Sequence, residues 1–117
     1  MDRPMPATKK QSYARYTIAA VSVLGSMIQL ERKSRTMTAQ ELAGRLGITR
    51  GTLQRLEQGD PKVELGLAFE ACTVLGIRLF DDDLAGMTFR NEDLQKRLTL
   101  LPKYARPRKQ TAVDNDF

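Results

Sequence analysis

Between Thr38 and Gly59 the chain reads TAQELAGRLGITRGTLQRLEQG, two short helix-forming runs with a start signal before each and a glycine stop between them. No other segment narrows the choice of fold so far. Thr38 offers its hydroxyl to the backbone N–H three residues on, and Glu41 can reach back to the N–H of Thr38, the reciprocal pattern of a capping box. Leu42, Ala43 and Leu46 then form an inward apolar stripe until Gly47, which supplies the positive φ that stops a helix. The chain restarts at once. Thr49 caps the second helix, Leu53 and Leu56 form its buried side with Ile48 just ahead, and Gly59 and Pro61 end it.

What remains outward on the second helix is Arg50, Gly51, Thr52, Gln54 and Arg55, a polar and basic face. Such a face suits a DNA major groove: Arg donates in bidentate fashion to guanine O6 and N7, Gln pairs similarly with adenine, and Thr meets a thymine methyl or a phosphate. Gly51 gains a meaning there. Inside a helix a glycine costs roughly 0.5–1 kcal/mol against alanine, a cost that makes sense where the helix must come very close to a base edge or backbone. Any soluble helical hairpin also has a solvated polar face. The coincidence of capping box, inter-helix glycine, second cap and the closing Glu57-Gln58-Gly59 nevertheless points to a helix-turn-helix.

Composition agrees with this reading. The 117 residues suffice for one modest domain plus tails, which argues against a multi-domain enzyme. The net charge of +5 and the pI near 9.7 favour a polyanionic partner. Before Met37 there are seven basic residues against two acidic, and from Pro102 onward four against two, while the stretch between carries eight against ten. The excess sits on the flanks, where it can embrace a DNA backbone. A single Cys72 excludes an internal disulfide framework and a cysteine-rich zinc site, and its spacing from Ala68 and Leu75 makes it a small core residue. With no histidine in the chain, Ser-His-Asp and Cys-His catalysis are excluded. No convergent set of acid, base and nucleophile is present, so no catalytic residue, metal, cofactor or small-molecule substrate is expected.

The remaining segments organise around the hairpin. Residues 1–12 are expected to be a mobile N-terminal arm, 13–80 the DNA-binding domain, 81–101 a helical extension and 102–117 a flexible tail. The run IAAVSVLGSMI is too short to span a bilayer and lacks a cleavage site. Ile18, Val21, Leu24 and Ile28 make it instead the amphipathic first helix, with Thr17 as its cap. A fourth helix is predicted from about Glu64 to Leu75, ended by Gly76. Asp81, Asp82 and Asp83 are adjacent and point different ways, which reads as a helix cap rather than a metal site. Asn91 is predicted to cap a last helix whose face carries Leu94, Leu98 and Leu101 until Pro102 breaks it. Those leucines either pack back on their own domain or meet a second subunit. The dimer is the favoured reading, since operators made of two half-sites about 34–36 Å apart demand one.

With these residues in view, the stretch from about Leu24 to Ile77 resembles the Xre family of lambda-repressor-like DNA-binding domains. The resemblance implies an all-α fold, a compact five-helix lambda-repressor-like bundle with an extra C-terminal amphipathic helix and flexible basic tails. The helix from Thr49 to Gln58 becomes the recognition helix, with Arg50, Gly51 and Arg55 at base-contacting positions and Thr49 and Thr52 at positions that touch phosphate. Thr38, Gln40 and Gln54 complete the expected DNA-binding set. Where many phage-repressor relatives carry a phosphate-binding Gln one residue after the first cap, this chain has Ala39. Arg32 and Glu57 fall where the family often has a buried ion pair tying the first helix to the recognition helix. FEACTVLGIRLF, the leucine-rich helix and the basic ending further resemble the HipB-like branch of that family, antitoxins encoded beside HipA-type Ser/Thr kinases. That likeness implies a cytoplasmic homodimer that binds double-stranded DNA at a palindromic operator, engages a HipA-like kinase toxin and represses its own operon. In the tail, Lys103, Arg106, Arg108 and Lys109 would add phosphate contacts, and Asp114, Asp116 and Phe117 would dock on the kinase. A stand-alone regulator without a toxin partner, or a protein-interaction adaptor, are the alternatives; a membrane partner is not expected.

Overall fold

The computed structural model describes residues 12–103. Among them are five α-helices and no strand, the all-α class predicted from sequence. They are α1 (Arg15–Ser34), α2 (Ala39–Leu46), α3 (Arg50–Glu57), α4 (Leu65–Leu75) and α5 (Leu84–Thr99). The chain divides between Leu79 and Phe80 into two units, so that α1 to α4 form the first and α5 belongs to the second. No helix among the described residues is long and apolar enough to cross a membrane.

In the first unit α1 packs on α3 and α4, and α2 packs on both of them as well. Ile28, Leu42, Leu53, Leu75 and Cys72 are the largest fully buried side chains, with Ala43, Leu56, Ala68 and Ala71 filling between them. Each large aliphatic residue among these contributes about 1.5–3 kcal/mol by leaving water. Burial also raises the pKa of the Cys72 thiol above its ordinary value, in keeping with a core role.

Two details of α1 differ from expectation. It starts at Arg15 behind Ala14 without any side-chain cap, and Thr17 lies inside its first turn. The backbone bond from Ile18 N–H to Ala14 O sets the register there. Ile18 is 44% exposed although Leu24 and Ile28 face the core. Length explains this: 20 residues of α1 span about 30 Å, whereas the 8 of α3 span about 12 Å, so the N-terminal end of α1 outruns that partner.

The hairpin helices keep close to their sequence signals. Glu41 N–H donates to Thr38 Oγ1 at 3.0 Å and Thr38 N–H to Glu41 Oε1 at 2.8 Å, closing the capping box. Gly47 ends α2 at φ 69°, and Ile48 N–H donates back to Ala43 O at 3.0 Å. Thr49 accepts from Thr52 N–H to cap α3, which stops at Glu57, one residue before the predicted Gln58. Gly76 closes α4 at φ 73°.

In the second unit Asp83 Oδ1 accepts from Gly86 N–H at 2.8 Å, and α5 therefore begins at Leu84 rather than at Asn91. Asn91 lies in its interior. Asparagine costs under about 0.7 kcal/mol against alanine there, too little to halt a helix already nucleated upstream. Asp82 pairs with Arg90 at 2.7 Å, and the Arg90 guanidinium lies 6.0 Å from the centre of the Phe80 ring. Leu94 and Leu98 lie on α5, but Leu101 falls beyond its last residue Thr99, in a turn where its N–H donates to Leu98 O. No residue of α5 is buried.

Candidate nucleic-acid interface

The three residues between α2 and α3, Gly47, Ile48 and Thr49, each have a separate task. Gly47 reverses the chain, Ile48 packs against the core, and Thr49 opens the next helix. Thr49 and Thr52 also share a hydrogen bond between their hydroxyls at 3.0 Å. The first turn of α3 is thus fixed by its own side chains before any partner arrives.

Its last turn is fixed by α1. Arg32 Nε donates to Glu57 Oε2 at 2.7 Å and Nη2 to Oε1 at 2.9 Å, a two-pronged contact between side chains only 9% and 7% exposed. The third prong, Nη1, donates to Met37 O at 3.0 Å, just ahead of the α2 cap. One guanidinium therefore ties α1 to α3 and to the segment that leads into α2. Hydrogen bonding to Glu57 holds the pKa of Arg32 above its ordinary value, against the opposing effect of burial.

Close helix contact completes the anchorage. A Cβ on Gly25 would stand 2.6 Å from both Leu56 O and Glu57 O, so α1 touches the end of α3 with bare backbone. Gly59, at φ 82°, also comes close: its Cβ would lie 2.9 Å from Ser22 Cα. Neither contact is evident from the hairpin alone. The signal for Gly25 is a glycine at helical spacing between Val21 and Ile28, within a run otherwise suited to an apolar helix. Arg35 is a second residue that sequence reading passes over. Its Nη2 donates to Leu75 O at 2.6 Å, satisfying a carbonyl of the last turn of α4 while Nε pairs with Glu31 at 3.0 Å.

Held this way, α3 turns Arg50, Gly51, Gln54 and Arg55 to solvent, with its C-cap Gln58 exposed too and Thr52 half-buried beside them. Gln40 on α2 and the cap residue Thr38 are exposed as well, whereas Ala39 packs against the core. A cleft of about 400 Å³ runs between Gln29 of α1, Ala39 of α2 and the Arg50, Gly51 and Gln54 side of α3. At Gly51 a Cβ would meet nothing nearer than Thr49 Oγ1 at 4.0 Å, so the fold itself does not require glycine there. Arg55 is the one cation of this face with a charged partner among the described residues: its Nε donates to Asp60 Oδ2 at 2.8 Å. Asp60 Oδ1 accepts from the Lys62 backbone N–H at 2.9 Å, and these two donors hold the Asp60 carboxyl below its ordinary pKa.

The expected dimer residues Leu94, Leu98 and Leu101 are 49%, 57% and 62% exposed. Asp114, Asp116 and Phe117, with Arg106, Arg108 and Lys109, lie outside the described residues, as does most of the N-terminal arm.

No curated protein and no solved structure matches the chain. Residues 28–81, from the buried half of α1 through the segment after α4, match the model of the helix-turn-helix family of Xre and lambda-repressor type, a family of DNA-binding regulatory domains.

Proposed function

We propose that the chain is a sequence-specific DNA-binding transcriptional repressor in which α3 reads the major groove. The observation that carries this is the exposed face of Arg50, Gly51, Gln54 and Arg55, displayed by a helix pinned at both ends by Thr49 and by the Arg32–Glu57 pair. A rigid helix with unspent donors at base-reading spacing loses little entropy on binding. Thr49 and Thr52, together with Thr38 and Gln40 on the neighbouring helix, serve as phosphate contacts that fix the register. Selection of binding sites from a random duplex library tests the reading. An enriched motif bound with a steep negative dependence of log K on log salt is the expected result, and no enrichment rejects it.

The repressor acts as a homodimer through α5. Leu84, Met87, Asn91, Leu94 and Leu98 follow one another along α5 at alternating steps of three and four residues, the seam of a two-stranded coiled coil, and Leu101 follows three residues on, just past the helix. An asparagine inside such a seam favours pairing with its own copy in register. The finer reading is that of a cytoplasmic antitoxin which binds a HipA-like kinase and represses their shared operon. It rests on the HipB-like resemblance of residues 69–117, and co-purification from the native host decides it. A kinase recovered with the chain supports the antitoxin, and a chain recovered with DNA alone makes it a stand-alone regulator.

A further inference from the structure

The pairing of Arg55 with Asp60 places a carboxylate directly behind one of the exposed arginines of α3. We infer that Asp60 is a positioning residue that sets the specificity of Arg55, holding its guanidinium so that the terminal nitrogens meet one guanine. The inference rests on the proposal that α3 reads DNA.

Three features support it. First, Asp60 uses Nε of Arg55, at 2.8 Å, and so leaves both terminal nitrogens for the O6 and N7 acceptors of guanine. Second, the carboxylate is itself held. Its other oxygen accepts from Lys62 N–H at 2.9 Å, while Asp60 N–H donates to Arg55 O at 3.0 Å, so backbone and side chain both join the two residues. Gly59 provides the left-handed turn at φ 82° that brings position 60 back beside position 55. Third, the pair contributes little to stability, its side chains being 51% and 28% exposed. An arginine in water samples many rotamers, and fixing it before binding removes part of the entropic cost of the contact.

A carboxylate near DNA also repels phosphate, and that effect acts on every sequence alike. The two effects separate in the ratio of specific to random-sequence affinity. Asp60→Asn keeps the shape and an acceptor for Lys62 N–H but loses the charge that holds Arg55. With the site selected by the unaltered chain as probe, D60N should lower the ratio of selected-site to random-duplex affinity by about 3–10-fold. The loss should centre on one G·C pair and vanish when Arg55 is already alanine. Thermal unfolding should stay unchanged. An unaltered ratio, or a loss that persists in the Arg55→Ala background, overturns the positioning role while leaving DNA reading by α3 in place. A chain that enriches no duplex at all overturns both.

Discussion

α3 and α5 begin in the same way and differ in what they bury. Thr49 accepts from the N–H of Thr52 and Asp83 from that of Gly86, so each helix has its first turn closed by an oxygen one residue ahead of it. Over 8 residues α3 then buries Leu53, Leu56 and Glu57, whereas α5 over 16 buries none. Caps and propensity decide where a helix starts. Burial depends on which other surfaces the helix meets, and that information is spread through the chain. The contrast bears on function: α3 spends its apolar side on anchorage and keeps a polar face exposed, while the leucines of α5 remain exposed. Its Arg97–Asp93 pair at 3.0 Å is exposed and contributes only about a few tenths of a kcal/mol.

The largest expected effect comes from severing the anchorage. Glu57→Ala leaves the Arg32 guanidinium buried with only Met37 O to accept from it, and breaking such a pair costs about 3–5 kcal/mol. In a domain of this size that lowers Tm by more than about 10 °C, measurable by circular dichroism. A Tm within about 2 °C of the parent would mean that the pair is not what fixes α3. Next in size is Gly25→Ala. The new methyl would sit 2.6 Å from two backbone carbonyl oxygens, and the resulting separation of α1 from α3 should cost about 1–3 kcal/mol by urea unfolding.

Glycine at position 51 gives the opposite sign. A Cβ there would meet nothing closer than Thr49 Oγ1 at 4.0 Å, so Gly51→Ala should stabilise the fold by up to roughly 1 kcal/mol. Affinity for a selected DNA site should fall. Stability gained with binding unchanged would show that α3 does not approach DNA at this residue.

These residues also mark how far the sequence could be read. The capping box, the Gly47 stop and the Thr49 cap depend on neighbours within a few positions, and all three were legible. So was the outward face of α3, which follows from the spacing of Leu53 and Leu56. The Arg32–Glu57 contact, 25 positions apart, came only through the family resemblance. Gly25, Arg35 and Asp60 escaped because each acts on atoms that periodicity does not register: a carbonyl of another helix, a helix end, a side chain across a turn. Asn91 misled for a related reason. Its side chain is a good cap in isolation, but Asp83 had already started the helix.

The smallest effect on folding should come from the leucines of α5, and its contrast with the bundle is the sharpest test of the comparison. Leu53→Ala removes a side chain with no exposure and should cost about 2–5 kcal/mol. Leu98→Ala removes one that is 57% exposed, and in protein diluted until it is monomeric the cost should stay within about 0.5 kcal/mol. At higher concentration the two states are linked by mass action, so any stabilisation that α5 gains from a second copy appears as a Tm that rises with concentration. That rise should be present in the parent and absent in a Leu94→Ala, Leu98→Ala double variant, with sedimentation velocity showing the loss of the dimer. Should the double variant instead melt early at every dilution, the leucines would be covered within their own chain, and α5 would be a stabilising element rather than a joint between copies.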